Sequence, residues 1–419
     1  MKLWIFLAAS SEGRHGSSER PRLEKRMDTI THGIAGALIS KAVFRGEDMF
    51  ASKPMNRARI ITWSLMLGAI FPDSDMLREW LSSNPLLILT WHRSITHSLV
   101  CMPFFALLLA ALTRWFVRWR KWDSPSFAAL AGIYAIGILS HIFLDLVTTF
   151  GTMIWSPLQW SRPAWDLIFI IDFTFTAIIL CPQILPWVYR QAEGLKNRAI
   201  ITWSVLALAS LGVAAFWKNV GAPISAQTAV TIIAVLAAFF LLPAVRFKGL
   251  RVRYATWNRA GLAAALLYLA AAFYAHRAAL ERVKQFASLF QLQVESLGAL
   301  PFPPSLWHWD GLVNTAHGVY EVRLDLSEPP PLASIEHRYY PDAIPNQYID
   351  AAKRLSEVQT VLWFARFPVT RFHKEGSDAI VEIYDARFPQ VRKDRPASFT
   401  YRVKMDESCK VISQGWVRE

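Results

Sequence analysis

Cysteine is almost missing from this chain: three stand among 419 residues, Cys101, Cys181 and Cys409, and no two form a C-x-x-C pair. That excludes a disulfide-stapled scaffold and a cysteine zinc knuckle. Charge is scarce too, at 18%, and acidic residues are the scarcer sign, 32 against 45 basic, for a formal net charge of +13. No phosphate-binding glycine loop, no G-x-S-x-G elbow and no internal repeat occurs, so P-loop and serine-hydrolase chemistry have no foothold. The stretch after residue 280 is close to neutral and offers no basic face, which argues against a nucleic-acid partner.

What the chain has instead is apolar length. Hydrophobic residues make up 53% and tryptophan alone 18 positions. Blocks at 95–116, 127–147, 167–188, 200–217, 226–245 and 260–275 approach the roughly 20 residues needed to cross a bilayer. Read as helices, the segments fall at about 29–44, 59–77, 95–116, 126–148, 166–188, 200–217, 226–246 and 258–277. The expected fold is mostly α: a polytopic membrane bundle of about seven or eight helices with a C-terminal α+β extramembrane domain. Residues 1–26 are expected to be a disordered arm, with Met27 a candidate true start, 27–280 the membrane domain, and 281–419 the soluble domain.

Basic residues alternate between loops. Those at 45–59, 114–121, 190–198 and 246–259 carry about 16 Lys and Arg, the intervening loops about four, which places the first set in the cytoplasm. The consequence concerns five other stretches: Asp28-Thr-Ile-Thr-His32, Phe71-Pro-Asp73-Ser-Asp75, His92-Arg-Ser-Ile-Thr-His97, His141-x-x-x-Asp145, and Asp166 with Asp172. Each lies near a helix end, and the alternation puts all five on the outer side. Ionisable groups beside apolar helices are costly unless they pair or bind something, so they suggest a site.

His and Asp are ligands for a hydrolytic zinc, manganese or iron centre. His141 and Asp145, four apart on one helix face, can reach one metal; His32, Asp73, His92 and His97 complete the candidate ligand set. Asp73 or Asp75 is also a candidate to take a proton from water, and either equally suits a turn or cap. Arg93 fits an oxyanion or phosphate through its fork, or simply reaches the interface. Asp28 orients the His32 imidazole or caps the first helix. Thr96 is placed to cap the next. Asp172 is expected to face the bundle interior and Asp166 to support the site or to be an N-terminal helix charge.

Taken together, Met27-Asp-Thr-Ile-Thr-His32-Gly, Phe71-Pro-Asp-Ser-Asp75, His92-Arg-Ser-Ile-Thr-His97-Ser and His141-x-x-x-Asp145-x-x-Thr148, followed by Gly151 and Pro157, resemble the YdjM/YbcI-type family of inner-membrane metal-dependent hydrolases. The motifs cover about 27–185, and Ser94 stands where many relatives have Gly. The resemblance implies a metal-dependent hydrolase of the bacterial inner membrane with a phospholipase-like activity and fixes neither the metal nor the substrate; membrane lipid as substrate follows from the headgroup depth of the site.

Beyond Pro301-Phe-Pro-Pro304, alternating runs at 318–326, 360–367, 379–384 and 398–404 read as strands and 344–358 as a helix. Topology puts this domain outside, with the site. His276, His308, His317, His337 and His373 lack ligand spacing. The leading functional expectation is hydrolysis of a phosphoester or ester, phospholipid among them, at the outer membrane face; the alternatives are an ion or metal transporter and a non-catalytic scaffold with a structural metal site. No oligomer is specified.

Overall fold

The computed structural model describes residues 22–44, 56–82, 84–189, 193–219, 225–246, 254–302, 306–388 and 397–417. Helix α1 spans Arg22–Val43, so residues 22–26 are helical rather than part of a disordered arm; residues 1–21 lie outside the described residues. Helix α2 follows at Arg57–Ile70, opened by the Asn56 side chain accepting from the Arg59 amide at 2.9 Å. It does not run on to 77. Pro72, without an N–H, sits in the first turn of a tighter 3₁₀ segment, Phe71–Asp75, before the short α3, Met76–Leu81, and α4, Leu87–Thr90.

The third long helix also differs from expectation. α5 occupies Met102–Trp119, while His97 closes a separate 3₁₀ turn, Ile95–His97. Ser98 divides the two, its Oγ accepting from the Val100 and Cys101 amides. α6 is Phe127–Leu146, capped by Ser126 Oγ. α7 starts at Phe173, not 166, and ends at Tyr189; Asp172 Oδ1 takes the Phe175 amide at 2.9 Å and sets the start. α8 (Leu195–Asn219), α9 (Ala226–Arg246) and α10 (Tyr254–Leu289) complete the bundle.

Among the described residues five helices, α5, α6, α8, α9 and α10, are long and apolar enough to cross a bilayer. α7 is apolar but has 17 residues. α2, with 14 residues, is about 21 Å long against a hydrocarbon core of about 30 Å. α2 is instead held inside the bundle between α1 and α6 by small residues. A Cβ on Gly36 would lie 2.9 Å from the Ala69 Cβ, one on Gly68 3.0 Å from the Tyr134 carbonyl oxygen, and one on Gly137 2.7 Å from that of Leu65. Without side chains there, three backbones approach closely. This seam fixes the three helices that carry most of the site.

α10 has 36 residues, about 54 Å, well beyond one membrane thickness. It continues through the charged stretch after 280, and Ala279, Val283, Phe286 and Ala287 pack on Ala299, Trp309, Val313 and Val322 of the next domain. That domain holds two four-stranded antiparallel sheets. The first is β1 (Val294–Phe302), β2 (His308–Thr315), β3 (Gly318–Asp325) and β4 (His337–Pro341); the second is β5 (Pro368–Glu375), β6 (Asp378–Asp385), β7 (Tyr401–Met405) and β8 (Val411–Trp416), each in sequential order. Between them lie α11 (Gln347–Lys353) and α12 (Ser356–Phe364). The strand expected at 360–367 is therefore mostly helix, because Val358, Val361 and Phe364 recur at helical spacing and bury one face.

The domain sits on the end of the bundle where α2 and α6 finish. Leu86 and Phe150 from the bundle's loops and Leu89 of α4 share a core with α11, α12 and β6–β7. Arg366 grips Asp166 with both fork nitrogens, at 3.0 and 2.9 Å, and Trp416 Nε1 donates to the Pro85 carbonyl at 2.9 Å.

Candidate metal centre

Four side chains from three segments converge at the end of the α1–α2–α6 seam. The turn after α2 brings Asp73, the Ile95–His97 turn brings His97, and the last turns of α6 bring His141 and Asp145. His97 Nε2 lies 3.0 Å from His141 Nε2, 3.1 Å from Asp145 Oδ2 and 3.8 Å from Asp73 Oδ1. His141 Nε2 is 3.5 Å from Asp73 Oδ1 and 3.4 Å from Asp145 Oδ2. Ligands about 2.0–2.2 Å from a tetrahedral zinc would be spaced about 3.3–3.6 Å from one another. The His141–Asp145 and His141–Asp73 spacings, 3.4 and 3.5 Å, match that range, while His97 stands closer to His141 and Asp145 and farther from Asp73.

The donor chemistry fits as well. His141 Nδ1 donates to the Ala69 carbonyl at 2.6 Å, which turns the Nε2 lone pair inward. On the far side of His97, Nδ1 lies 3.4 Å from Asp75 Oδ2 and 3.0 Å from Thr96 Oγ1. Asp145 is buried, with Arg93 Nη2 3.0 Å from Oδ1 and His97 Nε2 3.1 Å from Oδ2. His32 joins from α1: its Nε2 is 3.3 Å from Asp145 Oδ1, and its ring stacks on His141 with centroids 3.8 Å apart. His32, His141 and Asp145 form a second possible ligand group around the shared His141 and beside the first, Asp73–His97–His141.

The remaining sequence candidates take supporting places. His92 does not reach the quartet; its Nδ1 pairs with Asp75 Oδ1 at 3.1 Å. Asp75 also accepts from the Arg93 amide at 3.0 Å and from Thr96 Oγ1 at 3.3 Å, so its carboxylate ties three residues of the His92–His97 stretch together. Arg93 is buried at a positive φ of 59°, a strained conformation for a side chain of its size. Its fork holds Asp145 and, at 2.9 Å, Thr148 Oγ1. Asp166 and Asp172 stand apart from the quartet: Asp166 is the partner of Arg366, and Asp172 Oδ2 accepts from Tyr268 Oη at 2.8 Å. The Asp28 side chain lies outside the described residues.

Sequence reasoning missed several contributors. Thr29 donates to Asp73 Oδ2. Arg162 donates to the carbonyls of Leu89 and His92 and lies over the rings of Phe150 and Phe364, 4.8 and 5.3 Å from their centroids. Burial, reinforced by Arg93 and Arg387, pulls its guanidinium down to about 9. Arg387 pairs with Asp385 and donates to the Thr149 carbonyl at 2.8 Å. Thr29 was within reach, one residue after Asp28 in a motif already singled out. The contacts of Arg366 and Arg387 with the bundle had no local signal, since Asp166 and Thr149 lie 200 and 238 residues away.

Residues 27–221 match the family model described as YdjM inner membrane protein, so the resemblance read from the motifs extends past them to α8. No curated protein and no solved structure matches the chain.

Proposed function

We propose that the segment matching the YdjM inner membrane proteins, residues 27–221, houses a metal-dependent hydrolytic centre at the outer membrane face. Its substrate in this reading is a phosphoester or other ester, with phospholipid the natural class at headgroup depth. The observation that supports the reading is the convergence of His97, His141, Asp73 and Asp145, with both imidazole nitrogens within 3.0–3.8 Å of each other and of the two carboxylates in a buried place.

A divalent metal held there, zinc by its ligand preference and manganese or iron with the same donors, would supply Lewis acidity and acidify water. The chain's own groups do the rest. The Ala69 carbonyl and the Asp75–Thr96 pair keep both ligand imidazoles turned inward. Arg93 and Thr148 hold the end of α6 so that Asp145 stays aimed at the quartet. Asp73 or Asp75, the carboxylates on the turn after α2, takes the proton of the attacking water. The water oxygen bonds to phosphorus or carbonyl carbon, the ester C–O or P–O bond breaks, and the departing oxygen takes up a proton.

Elemental analysis of the detergent-purified protein tests the first half, comparing wild type with His141→Ala/Asp145→Ala. Stoichiometric metal that the variant loses, together with release of phosphate or fatty acid from phospholipid by wild type alone, is the expected result. A folded protein that stays metal-free after supplementation overturns the reading.

A second reading, ion transport, draws on one observation. Lys41 lies buried on α1, nine residues and about 14 Å from His32, with its Nζ donating to Gln183 Oε1 at 3.2 Å. Metal uptake into sealed proteoliposomes would favour it over hydrolysis.

A further inference from the structure

The stretch that brings His97 to the quartet turns sharply at Arg93, whose φ of 59° puts a large side chain in the left-handed region. All four peptide groups flanking that residue are bonded. The Arg93 amide donates to Asp75 Oδ2 at 3.0 Å and the Ser94 amide to the Trp91 carbonyl at 3.1 Å. The Arg93 carbonyl accepts from the Met153 amide at 2.8 Å, and the His92 carbonyl accepts from Arg162. Two of the four partners therefore come from the loop between α6 and α7. The turn they hold sends the Arg93 fork to Asp145 and the His97 ring to His141.

The same loop is where the C-terminal domain docks. Phe150 packs on Phe364, Phe388 and Phe399, with centroids 5.2, 6.3 and 6.3 Å apart. Arg387 donates to the Thr149 carbonyl at 2.8 Å, and Arg366 grips Asp166, itself at a positive φ of 54°. The domain is a cap on this side of the centre.

Arg162 stands where cap and centre meet. Its fork donates to the carbonyls of Leu89, at 3.1 Å, and of His92. Its guanidinium lies over one ring of the loop, Phe150, and one ring of the cap, Phe364. Among the described residues it forms no ion pair, so two carbonyls and two ring faces hold its charge. Hydrogen bonds of this kind are strong where water is excluded and weaken where water competes. Phe364 is almost fully buried, and its ring keeps water from the guanidinium. Lifting the cap would wet Arg162 and release the His92 carbonyl.

We infer that Arg162 is a positioning residue through which the docked C-terminal domain holds the Arg93 turn and, with it, His97 at the quartet. Closure of the cap completes the centre from a distance, without contributing a ligand. The consequence for metal rests on the hydrolase reading; the hold on the turn does not.

The test follows backbone hydrogen exchange at 93–99 in full-length, detergent-purified protein, beside its affinity for cobalt(II) by chelator competition. Phe364→Leu keeps apolar bulk and removes the ring over Arg162, while Arg162→Met keeps length and removes the donors. Each is expected to speed exchange at 93–99 about tenfold or more and to weaken cobalt binding about 10–100-fold. The double variant should go no further than Arg162→Met alone. Exchange in α8 and α9, which pack on one another and on α7, should stay as in wild type. If Arg162→Met does not fold, Arg162→Lys takes its place, since one ammonium cannot span both carbonyls. Three results overturn the inference: exchange at 93–99 unchanged in Phe364→Leu, effects that multiply in the double variant, or exchange that rises equally in α8 and α9, the mark of a general loss of stability. The hydrolase reading fails separately, when wild type takes up no cobalt although exchange at 93–99 follows the cap as expected.

Discussion

His141 Nδ1 lies 2.6 Å from the carbonyl oxygen of Ala69, and this contact between α6 and α2 decides which imidazole nitrogen faces the quartet. It exists because the two helices meet at glycine. A methyl on Gly137 would press on the Leu65 carbonyl oxygen at 2.7 Å and the Ala69 amide nitrogen at 3.0 Å, both backbone atoms that cannot swing away. Gly137→Ala is expected to push α2 from α6, lower thermal stability by about 1–3 kcal/mol and reduce bound metal. Gly132→Ala, on the same helix with nothing within 4 Å, should leave both unchanged. Equal metal content in the two variants would refute the link.

Asp75 gives a cleaner separation of support from ligation. It touches His97 only through Nδ1, away from the quartet, and also holds His92 and the Arg93 amide. Asp75→Asn keeps the shape but weakens the orientation of His97, and metal affinity should fall by about 10–100-fold. Chelator competition measures it. A loss as complete as in His141→Ala/Asp145→Ala would make Asp75 a ligand instead.

Arg366 and Asp166 form a bidentate pair across the two domains, with Asp166 nearly buried. A double-mutant cycle with Arg366→Ala and Asp166→Ala should return a coupling of about 1–3 kcal/mol, discounted for the partly exposed arginine. Protease sensitivity of the loop at 147–172 should rise in either single variant. Additive single effects would mean that the pair does not hold the cap.

Phe364 packs its ring between Phe150 and Phe388 at 5.2 and 6.0 Å and is almost fully buried. Phe364→Ala opens a cavity in the join between cap and bundle, and about 3–5 kcal/mol of stability should be lost. Thermal unfolding of the detergent-solubilised protein reads this; a change within error would place the joint elsewhere.

Asp310 of β2 sits near Glu321 and 3.9 Å from Arg323, and burial, with Glu321 adding repulsion, raises its carboxyl to about 7. A carboxyl that holds its proton more tightly folded than unfolded favours the folded state at low pH. That advantage falls as pH rises from about 4 and is gone once pH passes about 7. Asp310→Asn should therefore raise the melting temperature relative to wild type at pH 8 and raise it clearly less at pH 5. Equal shifts at both pH values would contradict the assignment.

The sequence by itself determined the apolar helices and the identity of the chemically active stretches, because both are local: a run of apolar side chains must leave water, and His or Asp beside such a run stands out against it. It also marked three strands closely, at β3, β6 and β7, where alternation is regular. Helix ends were less legible. The breaks after Ile70 and before Met102 and Phe173 depend on Pro72, Ser98 and Asp172 acting as local stops, and hydrophobic periodicity does not register them. α12 was misread as strand because a short apolar run is compatible with both periods until its burial is known.

Only the tertiary structure decided the roles within the site. Spacing made His92 and His97 equivalent, yet a 3₁₀ turn sends one to Asp75 and the other to His141. Asp166 looked like a helix charge and is a docking point for a residue 200 positions later. Such roles rest on distances between segments remote in sequence, set by the glycine seam of α1, α2 and α6 and by the cap, and short-range pattern carries no record of them.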